Sequence, residues 1–175
     1  MTYSFEQFCN DCHEALVNGA DEGALDTVRG KLEKLLVNPD FVAETFTPDT
    51  PYGRRVLHHD PDTDFYILAH VQKKRPERGS IHSHGSSWAV YGNAWNATEM
   101  VVWRRTNPES DDHAELAIEN EHAIHPGTAR AYGPGVIHST GQPDKAYVIR
   151  VTGTDLDKLP RFRFDPARDK ILAEV

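Results

Sequence analysis

The sequence predicts an all-β fold, a barrel or double-sheet jelly roll, behind a helical N-terminal cover. Two observations predict it. From Arg54 onward, eight or so short β-rich runs alternate with clusters of turn residues, at the spacing of a barrel or sandwich. Before that point, apolar residues recur at helical intervals instead. A chain of 175 residues is long enough for one domain with a real core and short for two. The expected organisation is a single domain over 1–175: a mostly helical cover over 1–50, a barrel over 51–155 and a tail over 156–175.

Taken in order, Ser4 is a candidate N-cap before FEQFCNDCHEALV, and Gln7 three residues on completes a capping box. After the turn signal NGADEG, the segment ALDTVRGKLEKLLV carries Leu25, Val28, Leu32, Leu35 and Leu36 at helical spacing, and Asn38-Pro39 ends it. A short FVAETF piece precedes the loop TPDTPYG. The strand candidates are RRVLHH, FYILAHV, WAVYGNAWN, EMVVWRR, ELAIEN, HAIHPG, TARAYG and KAYVIRVTG, with DPDTD, KKRPERG and TNPESDD as breaks. The tail LPRFRFDPARDKILAEV mixes both patterns and is assigned no element.

Composition removes several classes of function. With 27 acidic against 19 basic residues the formal charge is −8, opposite to what a nucleic-acid surface requires. No apolar run reaches the length of a membrane span, and the opening MTYSFEQFCN lacks the basic-then-apolar pattern of a secretory signal. The expectation is a cytoplasmic protein with no nucleic-acid or membrane partner, as a monomer or homodimer. The two cysteines, Cys9 and Cys12, form a single CxxC. With no second CxxC and no βαβ pattern after it, the pair reads as small hydrophobes on a helix rather than a redox couple or half of a zinc site.

The chemistry concentrates in two segments. In Gly79-Ser80-Ile81-His82-Ser83-His84-Gly85, a strand would place His82 and His84 on one face, because they lie two apart. Imidazole suits Fe, Zn, Cu and Ni, so the pair alone does not choose a metal. In Tyr132-Gly133-Pro134-Gly135-Val136-Ile137-His138, a Pro-Gly turn sets where the next strand starts and can return a third histidine to the same place. His82, His84 and His138 are therefore the candidate metal ligands.

An HxH after a Gly-containing loop, followed about fifty residues later by PGxxH, resembles the two-part signature of the cupin superfamily. The narrower resemblance is to the cysteine dioxygenase and mercaptopropionate dioxygenase group. Most cupins place a ligating Glu four or five residues after the HxH; here the stretch reads Gly85-Ser86-Ser87-Trp88-Ala89-Val90, without a carboxylate. A three-His site of that kind is similar to the thiol dioxygenases, as are HSHGSSWAVYG, the upstream LEKLLVNPDFVAETF, YGRR and FYILAHV. The resemblance covers roughly Leu32 to Gly153. It implies a cupin double-stranded β-helix, a mononuclear Fe(II) cofactor (with Zn, Ni or Mn as alternatives) and O2 as co-substrate. Three neutral ligands leave the metal more positive than two His and a carboxylate would, which favours a small anionic chelating substrate such as a thiol acid.

The chain departs from that group at its Ser-His-Tyr relay. The corresponding positions are Val148, Arg150 and Thr152, which alternation places on one face. An inward Arg150 needs an anion, either a substrate carboxylate or a protein carboxylate such as Glu99 or Glu119. By resemblance Arg54, after Tyr52-Gly53, is the substrate-carboxylate arginine, with a solvated loop arginine as the plain alternative. His70 reads as a core histidine or a group facing the cavity, and His13, His113, His122 and His125 read as solvated. Trp88, Tyr91, Trp95 and Trp103 read as core, with Trp88 kept as a candidate because it stands where other cupins place a ligand; Tyr132 is expected to border the pocket. The leading expectation is an iron dioxygenase using Arg54 and Arg150 to orient substrate. The rivals are a non-oxidative metal-dependent isomerase or lyase, and a non-catalytic small-molecule binding cupin.

Overall fold

A computed structural model describes residues 2–165 and 170–174. Helix α1 (Phe5–Leu16) begins at Ser4, whose side chain accepts from the Gln7 amide while Gln7 reaches back to the Ser4 amide, the reciprocal box its sequence announces. Helix α2 (Glu22–Leu36) is capped by Asp21 and buries Leu25, Val28, Leu32, Leu35 and Leu36. The FVAETF piece is helical: α3 (Pro39–Thr45) starts at Pro39, with the Asn38 side chain accepting from the Asp40 and Phe41 amides.

Eleven strands follow: β1 (Gly53–His59), β2 (Tyr66–Gln72), β3 (Ile81–His82), β4 (Ala89–Trp95), β5 (Thr98–Arg105), β6 (Leu116–Ile124), β7 (Ala129–Tyr132), β8 (Ile137–Gly141), β9 (Ala146–Thr152), β10 (Arg161–Asp165) and β11 (Lys170–Glu174). ELAIEN and HAIHPG, separate runs in the sequence reading, form the single strand β6. The tail that carried no assignment holds a short 3-10 turn (Leu156–Lys158) and the antiparallel pair β10–β11, which adds to the barrel through β3.

The strands form two antiparallel sheets, ordered β1-β2-β9-β4-β7 and β11-β10-β3-β8-β5-β6. Strands β2 to β5 alternate between the sheets and β6 to β9 return in reverse, so that β2 pairs with β9, β3 with β8, β4 with β7 and β5 with β6. That nesting is the jelly roll, the double-stranded β-helix of cupins, as expected. No helix among the described residues is long and apolar enough to cross a membrane.

The first sheet is covered on both sides, which decides which side chains reach the interior. Val90, Ala94, Ile149, Val151, Ile67, Ala69 and Val71 join the helices in the larger core, together with Phe8 and Cys12. The alternate positions Ala89, Tyr91, Ala146, Val148 and Tyr132 form a second cluster inside the barrel with Met100 and Ile124. All seven residues of β9 are buried in consequence. Both cysteines are free; Cys12 is fully buried in the core, Cys9 packs beside it, and burial pushes the Cys9 thiol up to about 11.

Helix α2 lies close on β4 because Gly92 offers no side chain. A Cβ there would sit 2.5 Å from Leu36 Cδ1 and 2.9 Å from Leu32 Cδ2, both on buried leucines. Gly92→Ala is expected to destabilise the fold by ~1–3 kcal/mol through overpacking. Gly30→Ala, in the middle of α2 with nothing within 4 Å of the new methyl, is expected to stabilise it by ~0.5–1 kcal/mol through helix propensity. Urea unfolding of the two variants checks both signs.

Candidate metal centre

The three histidines come from two segments that the barrel clasps together. His82 ends β3 and stands directly opposite His138 of β8 in the antiparallel register. The strand β3 is only two residues long, so His84 lies beyond it, just before the turn at Gly85 and Ser86. That turn opens at Gly85, which takes a left-handed conformation (φ 59°). A Cβ at Gly85 would also fall 2.7 Å from the Pro160 carbonyl oxygen, so the position suits glycine twice over. The Gly85 carbonyl accepts from the Gly135 amide at 2.9 Å, which ties the first histidine segment to the Pro-Gly turn of the second.

The resulting cluster is tight. Ring centroids are 4.5 Å apart for His82 and His138, 4.8 Å for His84 and His138, and 5.4 Å for His82 and His84. One ligand nitrogen from each lies within 4.8 Å of the others, a group able to hold one metal ion. His138 is 1% exposed. Its Nδ1 lies 3.3 Å from the Val136 carbonyl, so the proton belongs there and the lone pair sits on Nε2. That Nε2 is buried with no hydrogen-bond partner. Burial, with His82 and Arg150 nearby, lowers the His138 pKa to about 3, so the ring is the neutral imidazole a metal requires. His82 Nδ1 is likewise 3.0 Å from the Ser80 carbonyl. A buried lone pair without a partner and rings fixed by backbone carbonyls fit a bound metal.

Aromatic groups wall the cluster, and one further side chain there, His122, is expected in solvent from the sequence. Tyr91 is core, as expected, and in addition presents its hydroxyl 3.2 Å from His84 Nε2. Tyr132 stacks on His138 with centroids 5.7 Å apart and an interplanar angle of 22°, as its expected place at the pocket border requires. His122, read as solvated, is half-buried, and its Nε2 is 2.8 Å from the Tyr132 hydroxyl. The signal for Tyr91 is its parity with Ala89 on β4, which becomes readable only once the helices are known to cover the other face. Trp88 goes to the outer core, where its indole packs on Gly153, and it takes no place beside the histidines.

Arg150 points inward, as alternation with Val148 and Thr152 predicts, and is 8% exposed. Its guanidinium lies over the Tyr91 ring, 5.9 Å from the centroid. Among the described residues it forms no ion pair, so neither Glu99 nor Glu119, both exposed on β5 and β6, serves as its carboxylate. Arg150 and Arg54 line one cavity of about 510 Å³ with Val56, Leu68 and the Asp155–Asp157 turn. The three histidines are not part of its walls; Tyr91 stands between Arg150 and His84. Arg54 is at the mouth, ion-paired with Asp157 at 2.9 Å. His70 faces the same interior, and burial, with Arg150 and Arg54 near it, lowers its pKa to about 4.

His13 is also engaged: its Nδ1 is 2.8 Å from Asp60 Oδ2. Asp60 in turn accepts from the Asp62 and Thr63 amides through Oδ1, so the contact docks α1 on the β1–β2 turn. His113 stays half-exposed beside Asp112, and His125 is exposed.

No known family's sequence signature matches the chain, and no curated protein matches it in sequence. Solved structures do resemble it. A cupin-2 domain containing protein from Shewanella frigidimarina aligns with a TM-score of 0.45 at 11% identity, over 69% of this chain and 96% of that one. KdgF from a Halomonas species aligns at 0.43 and 16% identity, over 61% of this chain and 82% of its own. The DMSP lyase DddQ from Ruegeria pomeroyi aligns at 0.43 and 10%, over 66% and 54% respectively. The fold assignment rests on the nested strand order itself.

Two outcomes are expected. Wild-type protein from iron-supplemented medium should carry close to one metal per chain by elemental analysis, and His138→Ala prepared alike should carry almost none. Between pH 6.5 and about 4 the unfolded chain binds the His70 proton that the folded one refuses, so stability rises with pH across that window, by an amount on the order of 3 kcal/mol. Replacing His70 with Gln should remove its share of that slope in urea titrations of the metal-free protein, leaving the share of the same sign that His138 contributes.

Proposed function

We propose that the protein is a mononuclear iron enzyme of the cysteine dioxygenase-like cupin kind, using O2 on a small anionic chelating substrate. One observation carries the reading: His82, His84 and His138 converge from two segments, and the buried Nε2 of His138 has no partner among the described residues. In this reading the three imidazoles hold Fe(II), which supplies the capacity to bring O2 and a chelating substrate together. Ser80 and Val136 fix the His82 and His138 rings through their carbonyls, so the ligand lone pairs keep one direction. Tyr91 and Tyr132 exclude water from one side. Arg54 and Arg150 add positive charge beside the site, favouring an anion over its neutral counterpart.

The absence of the Ser-His-Tyr relay supports a substrate other than cysteine. Thiol acids without the amino group, and β-diketones or hydroxy-ketones that bind as enolates, meet the requirement of two donor atoms and a negative charge.

Oxygen uptake by the iron-loaded protein across a panel of thiol acids and diketones tests the proposal. Uptake with at least one class, reduced ~100-fold or more in His82→Ala and His138→Ala, is the expected result. No uptake with any of them removes it. Turnover without oxygen that survives replacement of iron by zinc points to a lyase or isomerase instead. Ligand affinity indifferent to chelators points to a binding protein.

A further inference from the structure

Arg150 is a buried cation without a counter-charge among the described residues. It sits in the middle of β9, where the register places it between Leu68 of β2 and Tyr91 of β4. Its Nε is buried with no hydrogen-bond partner, and among the described residues no hydrogen bond or ion pair engages its guanidinium. The Tyr91 face lies 5.9 Å away, and a cation–π contact compensates far less than a carboxylate does. Buried arginines are otherwise paired, because an unpaired charge away from water is strongly disfavoured.

The other charges lining the cavity are accounted for. Arg54 is paired with Asp157. Asp155 lies 3.7 Å from Lys158 Nζ. The hydroxyl of Thr152 donates to the Thr154 carbonyl, and His70, held neutral, adds no charge near neutral pH. Arg150 is left as the uncompensated charge on the described cavity wall. The complement is one negative charge on a planar pair of oxygens, which a guanidinium fork matches with two parallel bonds. Val56 and Leu68 beside it offer apolar contact to whatever carries that charge.

We infer that Arg150 is the anion receptor of this cavity and that its ligand is a small monocarboxylate. The apolar body of the ligand lies against Val56 and Leu68, and its far end passes Tyr91 toward the three histidines. Arg54 is a positioning residue here: its ion pair holds the Asp155–Asp157 turn against β1 and so shapes the mouth. The inference rests on the enzyme reading for its account of the far end, while the anion site itself is testable without turnover.

The probe is propanoate, with methyl propanoate as its uncharged counterpart, added to the wild-type protein with and without iron. In protein labelled with 15N at arginine Nε, the resonance that disappears in Arg150→Lys should shift on adding propanoate and stay fixed with the ester. By calorimetry, Arg150→Met should bind propanoate about tenfold more weakly or worse, and Arg54→Gln should lose less than that. Equal binding of acid and ester, undiminished binding in Arg150→Met, or a larger loss in Arg54→Gln would each overturn the inference. If Arg150→Met fails to fold, the wild-type resonance decides, and its indifference to saturating propanoate overturns it as well. Propanoate bound at Arg150 in a protein that takes up no oxygen with any thiol or diketone leaves this receptor standing and removes the dioxygenase reading. Oxygen uptake with thiol acids that is unchanged in Arg150→Met does the reverse.

Discussion

Strand β3 contributes two residues to the barrel, yet its antiparallel pairing with β8 is what sets His82 opposite His138. So short a pairing would not hold by itself. It is sandwiched in the sheet between β10, which pairs with Ile81 and His82 from the other side, and β8, which is itself anchored along β5. The Gly135 amide to Gly85 carbonyl bond adds a second tie just beyond it. The C-terminal strands, unremarkable as sequence, are therefore part of the frame that aims the histidines.

The second constraint is the double covering of the β1-containing sheet. With α1, α2 and α3 packed on its outer face, β9 and β4 are buried on both sides, and every second residue of each is committed to the interior. An interior position on β9 that holds arginine must be compensated there, because the helices block any route to the outer surface. The same covering brings Tyr91 inward. Gly92, its neighbour, is what lets α2 approach closely enough to close that outer core. Packing on one face of the sheet thus dictates polarity on the other.

Charge and tautomer divide the interior into two zones. Around the histidines, backbone carbonyls take the ring N–H groups and burial keeps His138 neutral, so the zone presents lone pairs. Across Tyr91, Arg150 presents N–H donors and a positive charge. A ligand with a donor atom at one end and an anion at the other fits both zones at once.

The sequence by itself determined the local devices. The capping box at Ser4 and Gln7, the heptad-like leucines of α2, the alternation that turns Arg150 inward, and the HxH and PGxxH segments all depend on neighbours within a few residues. Such signals survive in one dimension because turn chemistry and period-2 or period-3.6 patterning are local physics. Only the tertiary structure decided the rest. His84 joins the cluster from beyond the end of β3, and His122 meets Tyr132 across the β6–β7 connection. His13 pairs with Asp60 between a helix and a turn, while Trp88 leaves the site for the outer core. Which face of a strand is inside, and which distant carboxylate an arginine can reach, follow from the packing of whole layers. Non-local burial of that kind leaves no spacing in the sequence to be read.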